Sequence, residues 1–159
     1  MESEYFKRTY KEDLSEYNLE EARGWVINSM NFIEEKMDNA IVNYFNPKDS
    51  KNFKKIMLNS SVISTGAKLK ILRNIKKFDS KIISKIQEMS SIRNSFAHIP
   101  IIPLFKAEKI DGKTSLKRMP DRLEVMNSAG EIKTKSAKEE FKKFAELKKE
   151  ITEYFKNYS

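Results

Sequence analysis

The 159-residue chain has no cysteine, one histidine, one tryptophan, four glycines and four prolines. Without cysteine there is no disulfide and no thiolate zinc site, which fits a reducing compartment. One histidine without clustered carboxylates is too few ligands for a metal centre, so neither metal nor cofactor is expected. Four scattered glycines form no phosphate-cradling loop. No apolar run approaches the roughly 20 residues of a membrane span. The start, Met1-Glu2-Ser3-Glu4, is acidic and polar, unlike a secretion signal. The expectation is a cytoplasmic protein without membrane contact.

What is present suits one globular domain over residues 1–159, with 39% apolar and 34% charged residues. The net charge of +8 is uneven. Residues 1–50 carry 6 Lys+Arg against 11 Asp+Glu, residues 51–98 carry 11 against 2, and residues 99–159 carry 14 against 10. The net values are −5, +9 and +4. A focused positive field attracts phosphate backbones. A solvated lysine-rich face accounts for it equally well.

Apolar residues stepping by three and four predict a helix from about Leu14 to Phe45, through Leu19, Ala22, Val26, Met30 and Ile33. Ser15 or Asn18 can cap it, Gly24 admits a close neighbour, and Asn46-Pro47 ends it. A short helix is expected over 51–58. Another follows over 65–77, opened by Ser64-Thr65-Gly66, with Lys68, Lys70, Arg73, Lys76 and Lys77 on its surface. Asp79 or Ser80 caps the next, over 79–98, which Pro100 cannot continue. The stretch from Ile99 to Lys109 reads as extended or irregular, and Ile110-Asp111-Gly112-Lys113 as a turn. A β-hairpin is expected near 121–135, and Ser136 caps a last helix to Tyr158. The fold class is therefore mainly α, a helical bundle with a small hairpin insert at about 103–135. Its core is expected to hold Val26, Ile33, Leu69, Leu72, Ile86, Ile92, Phe96, Phe144 and Ile151.

The candidate site is Arg93-Asn94-Ser95-Phe96-Ala97-His98, at the end of the 79–98 helix. Asn94 and His98, four apart, share a helical face. Arg93 and His98, five apart, lie about 140° apart around the axis. Imidazole can move a proton near neutral pH. A guanidinium can clamp a phosphate and stabilise its transition-state charge. Together they suit metal-free cleavage of RNA through its own 2′-hydroxyl. The structural alternative is that His98 caps carbonyls at the helix end while Arg93 pairs with an acid of the first helix.

This segment resembles the Arg-x4-6-His signature of the HEPN superfamily. The longer stretch, Ser64 to Leu72 and then Ile86 to His98, is similar to the mannitol repressor family, which carries an Ile-Arg-Asn-x-Phe-Ala-His segment. The likeness covers about residues 60–98. It implies an up-and-down bundle forming a homodimer, with the two motifs facing each other across the axis. It also implies that Arg93 and His98 are catalytic, supported by Asn94. Toxins of the superfamily that pair with a nucleotidyltransferase antitoxin have a tyrosine two residues after the histidine, where this chain has Pro100. Modification at that position is therefore excluded.

Three readings follow. The first is a dimeric, metal-independent endoribonuclease, toxin-like or defence-related, with an antitoxin as a candidate partner. The second is a non-catalytic regulator or adaptor with the same dimer. The third is a basic nucleic-acid-binding module. Lys68, Arg73, Lys76, Lys77, Lys81 and Lys85 are the candidate RNA contacts.

Overall fold

Asn18 opens the first helix described in the computed structural model, which covers residues 18–98, 105–110, 112–118, 122–126 and 130–158. Its side-chain oxygen accepts from the N–H groups of Glu20 and Glu21, at 2.9 and 3.3 Å. Those two acids also suit the positive end of the helix dipole. Helix α1 spans Leu19–Phe45. It ends on Asn46 in the left-handed region, φ 43°, where the backbone N–H donates to the Val42 carbonyl at 2.8 Å. Residues 14–17 of the expected helix lie outside the described residues. Gly24 is exposed, and a Cβ placed there would meet nothing within 4 Å. The expectation of a close helix neighbour at Gly24 is therefore wrong.

Asp49 caps a short helix, α2, Ser50–Asn52, which runs into a π-helical turn over Phe53–Met57. Ser64 then caps α3, Thr65–Arg73, accepting from the Ala67 N–H at 3.3 Å. This helix stops four residues earlier than its apolar spacing predicts. The Asn74 side chain donates to the Lys70 carbonyl at 2.8 Å, and the backbone tightens into turns at Asn74, Ile75 and Phe78. Those turns let Ile75 and Phe78 enter the core. They also leave Lys76 and Lys77 on a connector.

Helix α4 spans Ser80–His98, with Asp79 accepting from the Lys81 N–H at 2.8 Å. Helix α5 spans Ala137–Asn157, capped by Ser136 onto the Glu139 N–H at 3.3 Å. Between them lie two antiparallel hairpins in separate sheets. Strands β1, Phe105–Ile110, and β2, Lys113–Arg118, pair from Phe105↔Arg118 to Ile110↔Lys113. Gly112, φ 74°, supplies the left-handed residue that so short a connection needs. Strands β3, Arg122–Met126, and β4, Ile132–Ser136, pair from Arg122↔Ser136 to Met126↔Ile132. The expected single hairpin is thus the second of two, and part of the supposed irregular stretch is strand β1. Positions 103–104, 111, 119–121 and 127–129 of the expected insert lie outside the described residues.

The protein is mainly helical, and α4 is its centre. It packs on α5, α1 and α3, while β3 touches α4 and β4 touches α5. Every residue expected in the core is buried. Near the end of α4, the Phe96 ring faces Phe141 at 6.5 Å between centroids, and Trp25 of α1 meets Phe141 at 5.1 Å. Near its start, the Asp79 N–H donates to the Tyr154 hydroxyl at 3.1 Å, and Phe78 packs on Tyr154 and Tyr158. Lys85 pairs with Glu150, and Lys143 pairs with Glu88 at 2.5 Å. These bridges are half exposed and contribute at most about 1 kcal/mol each. Apolar burial therefore fixes the orientation of α4, and with it the faces its last two turns present. Among the described residues no helix is long and apolar enough to cross a membrane.

Candidate functional site

Burial of Ile92, Ser95 and Phe96 sets the rotation of the last turns of α4. Ser95 is part of that anchoring, since its hydroxyl donates to the Ser91 carbonyl at 3.1 Å. Arg93 and Asn94 consequently face the gap between α1 and α3. There they line a half-open pocket of about 210 Å³ with Met30 and Glu34 of α1, Ser64 to Gly66 at the start of α3, and Ser90. Nη1 of Arg93 donates to Asn94 Oδ1 at 2.9 Å. Its Nε is buried with no acceptor.

Two acids of α1 hold the opposite wall. Glu34 accepts from the Thr65 hydroxyl at 2.5 Å. One turn further on, Asp38 meets the Lys68 ammonium at 2.7 Å. Burial pushes the Asp38 carboxyl above its usual 3.8, and Lys68 draws it back only in part. These contacts seat the first turn of α3 against α1 and so shape the pocket.

Lys68 is only 1% exposed. It was expected on the basic surface as an RNA contact, and that placement is wrong. It lies one turn from both Thr65 and Leu72, on the buried stripe of α3, where only its pairing with Asp38 makes an ammonium tolerable. Arg73, Lys76, Lys77 and Lys81 are exposed as expected, although Arg73 donates to Gln87 at 3.0 Å. Lys85 is half-buried in its pair with Glu150. Lys81 sits about 25 Å along α4 from His98, at 1.5 Å per residue. Lys81 and the motif thus mark opposite ends of one helix, while Arg73 reaches its middle at Gln87.

His98 is exposed and is absent from the pocket lining. Among the described residues it makes no hydrogen bond or ion pair, and Arg93 pairs with no acid. Neither contact of the structural alternative is therefore made there. Within one chain the pocket brings Arg93 and Asn94 together and leaves His98 outside it. The sequence reading missed Glu34, Thr65, Ser90 and Met30. The one available signal was the Ser64-Thr65-Gly66 helix start, which marks a cap and not a partner for Arg93. Among the described residues no three His, Cys, Asp or Glu side chains gather closely enough to hold a metal ion.

Comparison with known proteins found no matching family model, no matching curated protein and no matching solved structure.

Proposed function

We propose that the chain is a metal-independent endoribonuclease of the HEPN type, working as a homodimer. The observation that carries this reading is the state of the motif side chains. Arg93 lies part-buried in a pocket without an acid partner, and His98 stands exposed without one. A guanidinium with no carboxylate partner on an open pocket is a functional candidate.

In this reading Arg93 holds the scissile phosphate and stabilises the charge that builds on it. Asn94 fixes the guanidinium plane through its 2.9 Å hydrogen bond. His98 takes the proton from the ribose 2′-hydroxyl, or gives one to the leaving 5′-oxygen. The 2′-oxygen attacks phosphorus, the bond to the 5′-oxygen breaks, and a 2′,3′-cyclic phosphate remains on the upstream fragment. His98 does not line the Arg93 pocket of its own chain, and this reading therefore completes the site across a two-fold axis, Arg93 of one copy meeting His98 of the other.

The second reading, a non-catalytic regulator or adaptor, is favoured by that same separation of His98 from the pocket. The basic cluster of Arg73, Lys76, Lys77 and Lys81 suits a binding module as well as a nuclease. Incubation of the purified chain with mixed RNA in EDTA decides between cleavage and binding. The ribonuclease leaves cyclic-phosphate ends, whereas intact RNA supports the binding readings. Light scattering that finds only monomer at micromolar concentration removes the composite site.

A further inference from the structure

The pocket beside Arg93 poses a question that phosphate chemistry leaves open. Glu34 and Arg93 line the same cavity, yet no ion pair joins them. Opposite charges lining one part-buried cavity give it an accepting side at Glu34 and a donating side at Arg93. An anion alone suits Arg93 and is repelled by Glu34. A cation alone has the reverse difficulty. The complementary ligand is a nucleotide that turns N–H donors toward Glu34 and leaves its phosphate to Arg93.

The geometry points to a guanine base as the occupant, an assignment that rests on RNA being the ligand. Guanine presents two adjacent donors, N1–H and the 2-amino group, beside the O6 acceptor. A carboxylate accepts both donors side by side. Adenine and cytosine each place a ring-nitrogen acceptor next to the amino group, where a carboxylate repels it. Uracil has one N–H between two carbonyls. Glu34 is prepared for the task, because the Thr65 hydroxyl holds Oε1 at 2.5 Å and fixes the carboxylate plane. Oε2 and the second lone pair of Oε1 remain to accept. The cavity of about 210 Å³ has room for a bicyclic base. Glu34 thereby selects the nucleotide beside the cleaved phosphate.

Calorimetric titration of the full chain with GMP, AMP, CMP, UMP and IMP tests this. GMP is expected to bind about 5- to 150-fold more tightly than the other nucleotides, the range of one bidentate base contact. IMP, which lacks only the 2-amino group, falls with the weak binders. Glu34→Gln abolishes the preference. Equal affinities, IMP matching GMP, or a preference that survives Glu34→Gln overturns the assignment. Should Glu34→Gln not fold, IMP against GMP on the unaltered chain decides alone. GMP binding by a chain that never cleaves RNA supports the pocket and removes only the ribonuclease. Cleavage without guanine preference removes the pocket and leaves the ribonuclease standing.

Discussion

Lys68 and Arg93 are two cations on neighbouring helices, both set against α1, and the fold treats them in opposite ways. Lys68 is buried and meets Asp38 at 2.7 Å. Arg93 is half-buried near Glu34, pairs with no acid, and keeps an unmet Nε. The first cation closes a wall, and removing it should unfold the protein before it alters any chemistry. The second lies on an open cavity, and removing it should alter chemistry before stability. Glu34 and Asp38 lie one turn apart on the same face of α1, and their partners make the difference: Asp38 meets Lys68, whereas Glu34 is tied to Thr65 and makes no ion pair with Arg93.

The sharpest way to break this contrast is Lys68→Met. It leaves the part-buried Asp38 without its counter-charge, a loss of about 3 kcal/mol at pH 7 in urea denaturation, the low end for a buried pair. Arg93→Met at the neighbouring position should leave stability within about 0.5 kcal/mol of the parent. Equal losses at the two positions would erase the distinction.

Activity comes next in size. His98→Ala and Arg93→Lys should each lower RNA cleavage by about 10²-fold or more, with unchanged far-UV circular dichroism. Lysine fails at position 93 because a point charge does not replace a planar fork.

The pH dependence of Lys68→Met sharpens the comparison further. Burial already holds the Asp38 carboxyl above 3.8, so the folded state binds this proton more tightly than the unfolded chain does. Such a group contributes stability below its unfolded pKa and loses it as pH rises through the folded value. With Lys68 gone the folded pKa rises further. The deficit of the variant should therefore be smaller at about pH 4 than at pH 7. A deficit independent of pH would detach it from Asp38.

The smallest effect concerns the shared platform, α1. Gly24 is exposed with open space around its Cα hydrogen, so Gly24→Ala should raise stability by about 0.4–1 kcal/mol. A thermal melt that shows destabilisation would mean that α1 is more crowded there than it is in this structure.

The helices and core were legible because local signals agreed. Asn18, Ser64 and Ser136 each cap where their spacing predicts, and Ile86, Ile92 and Phe96 keep one stripe through α4. The end of α3 was not legible, because Ile75 continues the apolar step while the Asn74 side chain takes over the Lys70 carbonyl. The first hairpin escaped because its described side chains, 105–109 and 113–116, are almost all exposed and show no inward-facing alternation. Lys68 was misplaced because its partner lies thirty residues away on α1. A lysine on an apolar stripe reads as surface until the acid opposite is known. The motif stood out as the end of a buried helix with a lone histidine. The pocket around Arg93 did not, since Glu34, Thr65 and Ser90 meet only after α1, α3 and α4 have packed.

The most direct test of the composite site is to mix two inactive variants. Arg93→Ala and His98→Ala dimers are prepared separately, dissociated together and reassociated at equal concentration. If Arg93 of one copy works with His98 of the other, half of the dimers are mixed and each holds one intact site. Cleavage then returns to roughly a quarter of the parental rate. Activity that stays at the level of the separate variants, with mixed dimers demonstrated by mass, would contradict the account.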